Sequence, residues 1–316
     1  MCDCIPERAE KLAAEYGNPK VYVDYHELLA DPGVDAVCIC TPSGMHADMG
    51  IAAAGAGKHV LCEKPIDIDL DKIDRLTAAC RQAGVKLGCI FQRRTSGMWR
   101  NVREVVRSGR LGRMVLGDAY LKYYRSQGYY DSGDWRGTWA LDGGGALMNQ
   151  GVHCVDVLQW IMGPVRSVFA YTAHLVRNIE VEDTAVAALS FASGAFGVIE
   201  GTTSVTPGMD HRLEFHGAEG TIRVDGEKMA AWDVPGDEPA FFEGNGGVDM
   251  KAGTAASSPT AIGTEGHQMQ VENLVRAVRE DHDPMVTGEE ARRSVEIILA
   301  IYESSRTGRE VRLPLG

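Results

Sequence analysis

The sequence contains no apolar run approaching the roughly 18 residues of a membrane span. It lacks a basic-then-apolar stretch at its start and any block of lysine and arginine. Acidic residues outnumber basic ones, 44 to 32, for a formal net charge of −12. Nucleic acid and acidic membrane surfaces are therefore disfavoured as partners, and the chain reads as cytoplasmic. The eight cysteines include no C-x-x-C pair, so the usual zinc and dithiol spacings fail and no metal is expected. No internal repeat is present, and no G-x-G-x-x-G turn stands between a strand and a helix.

What is present suffices for two cores. The chain has 316 residues, 44% of them apolar and 24% charged, the balance of an ordinary globular protein of two domains. Helices are expected over Ile5–Tyr16, Tyr25–Ala30, Met45–Ala54 and Asp69–Ala83. They alternate with short apolar strands at Asp35–Cys40, His59–Cys62 and Val85–Phe91. Alternation at this spacing predicts a parallel sheet with right-handed crossovers. Past Gln92 the pattern changes. An amphipathic helix at Trp99–Ser108 precedes longer strands with period-two alternation between Val165 and Val224, the mark of an antiparallel sheet covered on one face. Gly226–Glu265, rich in Gly, Ala, Ser and Pro, reads as mostly surface loop. Helices at Gln268–Arg279 and Glu289–Arg306 and a strand at Glu310–Leu315 close the chain.

The most informative stretch runs from Asp134 to Trp160. It passes through Gly143-Gly144-Gly145 into an apolar helical run on which Asn149, His153, Asp156 and Trp160 share one stripe at helical spacing. Polar groups on a buried face need partners, so the stripe marks either a satisfied core histidine or an acid–base histidine with an orienting amide one turn away. Asp156 could orient His153 or bond backbone across the domain interface.

Several separated pieces occur together and in order. They are Thr41-Pro42-x-x-x-His46, Gly57–Pro65 (GKHVLCEKP), Gly143-Gly144-Gly145-Ala146, His153-x-x-Asp156 and Thr307-Gly308-x-x-Val311-x-Leu313-Pro314. In these the chain resembles the glucose–fructose oxidoreductase / inositol dehydrogenase (Gfo/Idh/MocA) family along essentially its whole length. The resemblance implies a Rossmann-type parallel sheet over residues 1–91. An α+β domain with an open, mostly antiparallel sheet follows over 92–316, for substrate binding and oligomerisation. It also implies hydride transfer between a secondary hydroxyl of a sugar or sugar nucleotide and NAD, with NADP the alternative, in a homodimer or homotetramer. Two other readings are an NAD-dependent glycosidase of the same fold and a non-catalytic sugar-binding or partner subunit. Members of the family begin with a strand and glycine-rich turn that cradle the cofactor pyrophosphate. Here the match begins near the end of the second strand, at Cys2-Asp3, so a truncated N-terminus is expected.

The family's roles carry over position by position. Asp3 stands where an acidic residue bonds the adenosine ribose, which favours NAD because a carboxylate repels a 2′-phosphate. Thr41, Pro42, His46, Glu63, Gln92, Trp135 and Arg136 are implied on the cofactor side. Lys64 is implied to touch both the reacting hydroxyl and the cofactor, as an ammonium that stabilises developing alkoxide. His153 is the expected general base, since a neutral imidazole suits proton removal near pH 7. Where relatives place aspartate four residues before that histidine, this chain has Asn149, which can bond a hydroxyl but cannot take its proton. The asparagine form resembles the branch acting on nucleotide-linked amino sugars at the 3-hydroxyl. Arg93, Tyr124, Trp139 and His267 complete the expected substrate contacts, and Gln92-Arg93-Arg94 resembles the domain junction.

Overall fold

The computed structural model describes residues 1–238, 240–241 and 264–315. Helix α1 (Pro6–Glu15) opens on a proline, whose missing N–H costs nothing in a first turn. Helix α2 (Tyr25–Ala30) is capped by the Asp24 carboxylate, which accepts from His26 N. Strands β1 (Ala36–Ile39), β2 (His59–Cys62) and β3 (Leu87–Cys89) form a parallel sheet in that order. Helices α3 (His46–Gly55) and α4 (Leu70–Ala83) make its crossovers. Asp69 caps the start of α4, and Gly84 ends it in the left-handed region at φ 69°. β3 is shorter than the apolar run Val85–Phe91 suggests, because Val85 N already donates to Cys80 O in the last turn of α4.

The second half is built on a nine-stranded sheet. Helix α5 (Gly97–Arg107) leads to β4 (Met114–Lys122), and a short α6 (Gln127–Tyr130) follows. Next come a π-helical turn at Ala146–Gly151 and helix α7 (Val152–Met162). The chain continues through β5 (Val165–Ala173), β6 (Thr184–Phe191), β7 (Phe196–Thr202), β8 (Arg212–Gly217) and β9 (Thr221–Asp225). It ends with β10 (Lys228–Asp233), β11 (Ala240–Phe241), α8 (Glu265–Arg279), α9 (Gly288–Thr307) and β12 (Val311–Arg312). The strand order is β11-β10-β9-β8-β4-β7-β6-β5-β12, antiparallel throughout except for the parallel pair β4·β7. Alternation follows the sequence pattern: Ala185, Ala187 and Leu189 of β6 are buried, while Val186 points outward.

Three expectations need correction. The run after Gly145 is not one α-helix: the π-turn inserts a phase change ahead of α7, so the stripe from Asn149 to Trp160 is broken. The stretch 226–265 includes β10 and β11, because Met229–Trp232 can pair with β9; residues 242–263 lie outside the described residues. The closing strand is only Val311–Arg312, which pairs with Val168 and Ser167 before Pro314 interrupts. Among the described residues no helix is long and apolar enough to cross a membrane.

The two halves meet through α8 and α9, which return to pack on the first sheet, α9 touching β3 and α4 as well as β5 and α7. At the centre of this junction lies Arg94, 1% exposed. Its Nε and Nη2 donate to the two oxygens of Asp156 at 2.8 and 2.6 Å, and its Nη1 donates to Glu290 at 2.8 Å. Burial pushes the Asp156 carboxyl up, and Arg94 pulls it back. Removing the guanidinium would leave a buried carboxylate without its partner. Arg94→Met should therefore lower unfolding free energy by roughly 3–5 kcal/mol in urea titrations at pH 7. A loss below about 1 kcal/mol, the worth of a surface pair, would show that the junction is not held this way.

Candidate active site

The C-terminal ends of the parallel strands open onto a cavity of about 1670 Å³ that reaches across to α7. Ligands bind at this edge in open α/β sheets, because the loops there splay apart. At the end of β2, Glu63 N donates to Ile39 O, and the chain then turns through a cis bond between Lys64 and Pro65. The turn is held from both sides. His46, 1% exposed, lies with Nδ1 2.8 Å from Pro65 O and Nε2 2.8 Å from Thr41 O, and its tautomer decides which carbonyl receives the ring N–H. The buried Asp67 accepts from Ala47 N at the start of α3.

Lys64 thus projects into the cavity, and its Nζ donates to Asn149 O at 2.9 Å. Burial pushes the ammonium below its ordinary value, against the carboxylates of Glu63 and Asp142, which hold it up. Burial also pushes Glu63 up, but His267 and Lys64 outweigh it and leave Glu63 below its ordinary value. His267 Nε2 lies 3.3 Å from Glu63, whose carboxylate raises the imidazole.

His153 stands on the first turn of α7, with its ring edge-on to Phe91 at 5.9 Å. Its Nδ1 is buried without a partner among the described residues, which leaves Nε2 to the cavity it lines. Burial, then the charges of Lys64 and Arg93, hold its pKa well below the ordinary 6.5. The imidazole is neutral at pH 7 and can accept a proton. Asp156 does not orient it, being fully engaged with Arg94. Nor does the Asn149 amide, which donates to Asp142 Oδ1 at 2.5 Å and accepts from Gln150 Nε2 at 3.0 Å.

Among the polar groups in and behind this wall, Asp142, Gln150, Arg125 and His211 were not singled out in the sequence. Asp142, 1% exposed, is lifted by burial and steadied by Gly137 N and Asn149. Gln150 Nε2 also donates to the Tyr129 hydroxyl, which receives Arg136 Nη1 at 2.7 Å. Arg125 donates to Gln150 Oε1 through Nε and Nη2. Arg93 donates to Cys154 Sγ at 2.8 Å, bonds His211 Nδ1 at 3.2 Å and lies 3.6 Å from Glu227.

Of the expected residues, Asp3, Thr41, Pro42, His46, Glu63, Lys64, Gln92, Arg93, Trp135, Arg136, Asn149, His153 and His267 all line this one cavity. Tyr124 and Trp139 do not. Tyr124 lies under the Arg177 guanidinium at 5.2 Å, and the half-exposed Trp139 packs edge-on to Tyr302 at 5.2 Å. The strand ends could hold the nicotinamide side of NAD, since Gln92 Oε1 is buried there without a partner among the described residues, in the same cavity as Lys64 and His153. Asp3 lines the same cavity, where a carboxylate could meet a cofactor ribose, and its Oδ1 accepts from Ile5 N at 2.8 Å.

Residues 1–91 match the model of an oxidoreductase family with an NAD-binding Rossmann fold, and residues 99–223 match the GFO/IDH/MocA C-terminal domain. The chain belongs to this family. The myo-inositol 2-dehydrogenase of Thermotoga maritima is 29% identical over 99% of this chain and 90% of that protein. The D-xylose 1-dehydrogenase (NADP(+)) 2 of Haloferax volcanii is 31% identical over 97% and 89%. A crystal structure of the WlbA dehydrogenase from Bordetella pertussis, in complex with NADH and UDP-GlcNAcA, superimposes with a TM-score of 0.87. It is 35% identical and covers 100% of this chain and 90% of that one.

If burial and neighbouring cations keep His153 neutral, its ring resonances in a pH titration followed by NMR will show no inflection at or above 6.5. An inflection there would mean that the imidazole is solvated and not held as described.

Proposed function

We propose that this member of the family oxidises a secondary hydroxyl of an anionic sugar derivative, with Lys64 and His153 as the catalytic pair. Residues 1–91 serve the cofactor on this reading, and 92–316 serve substrate and assembly. The observation that carries it is convergence: Lys64 from the end of β2 and His153 from α7 face one cavity, near enough that the lysine charge depresses the imidazole.

NAD, when bound, supplies the hydride acceptor. The protein's part is the proton and the developing charge. Lys64 bonds the reacting oxygen and stabilises it as alkoxide character grows. His153 Nε2 takes the hydroxyl proton, and its neutral form at pH 7 is the form required. A positioned base of this kind contributes about 100- to 10,000-fold, or about 3–5 kcal/mol of barrier. Asn149 cannot share that task, because its amide is neutral and already bonded to Asp142 and Gln150. It holds the lysine instead, through its carbonyl.

An anionic substrate is supported by the wall itself. In a chain of net charge −12, the cavity wall holds Lys64, Arg93, Arg125 and Arg136 alongside the carboxylates of Asp3, Glu63 and Glu227, the first two cations acting on the base itself. Guanidinium forks suit carboxylate or phosphate oxygens. The UDP-GlcNAcA in the WlbA complex points the same way.

The test is NAD reduction at pH 8 with a panel of a neutral cyclitol, a neutral aldose, a free uronate and a nucleotide-linked uronate. The anionic members should turn over fastest; a preference for the cyclitol would overturn the substrate class. His153→Ala should cut kcat by at least about 100-fold with NADH affinity retained, and a loss below about tenfold would remove His153 as base.

A homo-oligomer through the open sheet face belongs to the same reading. Tyr171 and Val186 stand opposite each other on that face, as do Phe196 and Leu116, and all four are exposed. Phe196→Asp should shift the mass measured by light scattering toward the monomer, and an unchanged mass would place the interface elsewhere.

A further inference from the structure

The helical segment that carries Asn149 and His153 begins at Gly145, where no neighbouring side chain caps it. A helix start leaves its first N–H groups without intrahelical partners, and inside a protein each must be met. Here one distant residue meets three in a row. Gly145 N donates to Glu182 Oε2 at 2.9 Å, Leu147 N to Glu182 Oε1 at 2.8 Å, and Ala146 N to the Glu182 main-chain carbonyl at 3.0 Å. Glu182 is 3% exposed and lies ahead of β6. The approach is close enough that a Cβ on Gly145 would stand 2.0 Å from the Glu182 carbonyl oxygen. One turn later Asn149 N donates to Gly145 O at 3.2 Å, and Asn149 O receives the Lys64 ammonium.

We propose that Glu182 is a positioning residue. Its ionised carboxylate caps the π-turn from outside and so aims Asn149, His153 and, through Asn149, Lys64; the reaction runs at full rate only while that cap is charged. This rests on the dehydrogenase reading above. A carboxylate offers both oxygens to N–H donors, and its charge suits the positive end of a helix. Protonation turns one oxygen into a hydroxyl that faces a donor, and the cap loses a bond.

Burial pushes Glu182 up to about 7, against the N–H groups of Leu147 and Gly145 and the Tyr302 hydroxyl. Around it stand Tyr302 of α9 and Tyr130 of α6, both of which also feel Asp142, and Asp183 beside it in the chain. Each of these four is neutral or negative. Because His153 is held well below 6.5, an acid limb near neutral pH does not belong to the base; Glu182 and His267, whose imidazole Glu63 raises, remain as its sources, and the Glu182 variants separate them.

Activity and stability then run in opposite directions. Activity needs the ionised form and is lost as pH falls through about 7. The folded value lies above the unfolded 4.5, so the stability linked to this group is fully present below 4.5 and is lost as pH rises through about 7. A carboxylate that served the fold alone would not leave activity and stability opposed.

The experiment compares the full chain with Glu182→Gln, which keeps the size and cannot ionise, and with Glu182→Asp, which can. The measurements are the pH profile of NAD reduction and the urea midpoint at pH 5 and pH 8. In Glu182→Gln we expect kcat to fall roughly 10- to 100-fold at pH 8 with KM little changed. The acid limb near 7 should vanish, and the variant's urea midpoint should gain on the wild type's between pH 5 and pH 8. Glu182→Asp should restore a limb. A Gln variant that keeps both its limb and its kcat would overturn the proposal. Should the wild type reduce NAD at no pH with any substrate, the dehydrogenase reading fails, and the urea midpoints alone decide on Glu182: parallel midpoints would dismiss it.

Discussion

Everything near the cavity depends on a guanidinium that has been taken out of water. Moving such a charge into the interior costs several kcal/mol after relaxation, and only well-aligned partners return it. Arg94 has them: a bidentate carboxylate from α7, a second carboxylate from α9, and the Trp160 ring at 5.2 Å. The price fixes geometry. Arg94 sits on the turn after β3, two residues past Gln92, Asp156 sits three residues past His153, and Glu290 belongs to the long closing helix. One buried ion therefore sets how far the base stands from the end of the parallel sheet, where Lys64 emerges.

The same low-polarity setting tunes the pair. Burial works against the ammonium of Lys64 and against any imidazolium at His153, so each is biased toward the form the reaction needs at a different moment. A neutral histidine receives the proton; a lysine whose charge is costly in the free enzyme gains most when an oxyanion forms beside it. Asp142 supports this without entering the cavity, holding the Asn149 amide while its charge steadies Lys64. Its carboxyl is itself lifted by burial, so the network is a compromise among groups that would each be better solvated alone.

Much of this was legible in the sequence where a local rule had one consequence. Pro6, Asp69 and Gly84 marked helix ends that the structure keeps, and His59–Cys62 forms a strand with the expected bounds. Lys64 was singled out through the family resemblance of the run Gly57–Pro65, and the structure brings it to the cavity. His46, expected on the cofactor side, lines the cavity and also sits between the carbonyls of Pro65 and Thr41, so it shapes the turn under Lys64. Asp142, Gln150 and Glu182 left no periodic trace, since their bonds to Asn149, Tyr129 and Gly145 span 7, 21 and 37 residues, respectively. Tyr124 and Trp139 were named for chemistry alone, and chemistry does not say which way a side chain leaves the chain.

The π-turn is where pattern reasoning had to fail. A stripe drawn at 3.6 residues per turn makes Asn149 the natural orienter of His153, and the sequence offers nothing against it. The wider turn over Ala146–Gly151 changes the phase, and the Asn149 side chain goes to Asp142 while its carbonyl goes to Lys64. Such a turn is a poorer helix and survives where something outside it supplies bonds the regular ladder does not. Gly144 and Gly145 permit this, since a Cβ on the first would stand 2.1 Å from the Tyr302 hydroxyl oxygen and one on the second 2.0 Å from Glu182. The glycines, Tyr302 and Glu182 thus form one packing unit behind the catalytic turn. Their spacing in sequence hides what their contact shows, that the irregular turn is held in place by the segment just ahead of β6 and by α9.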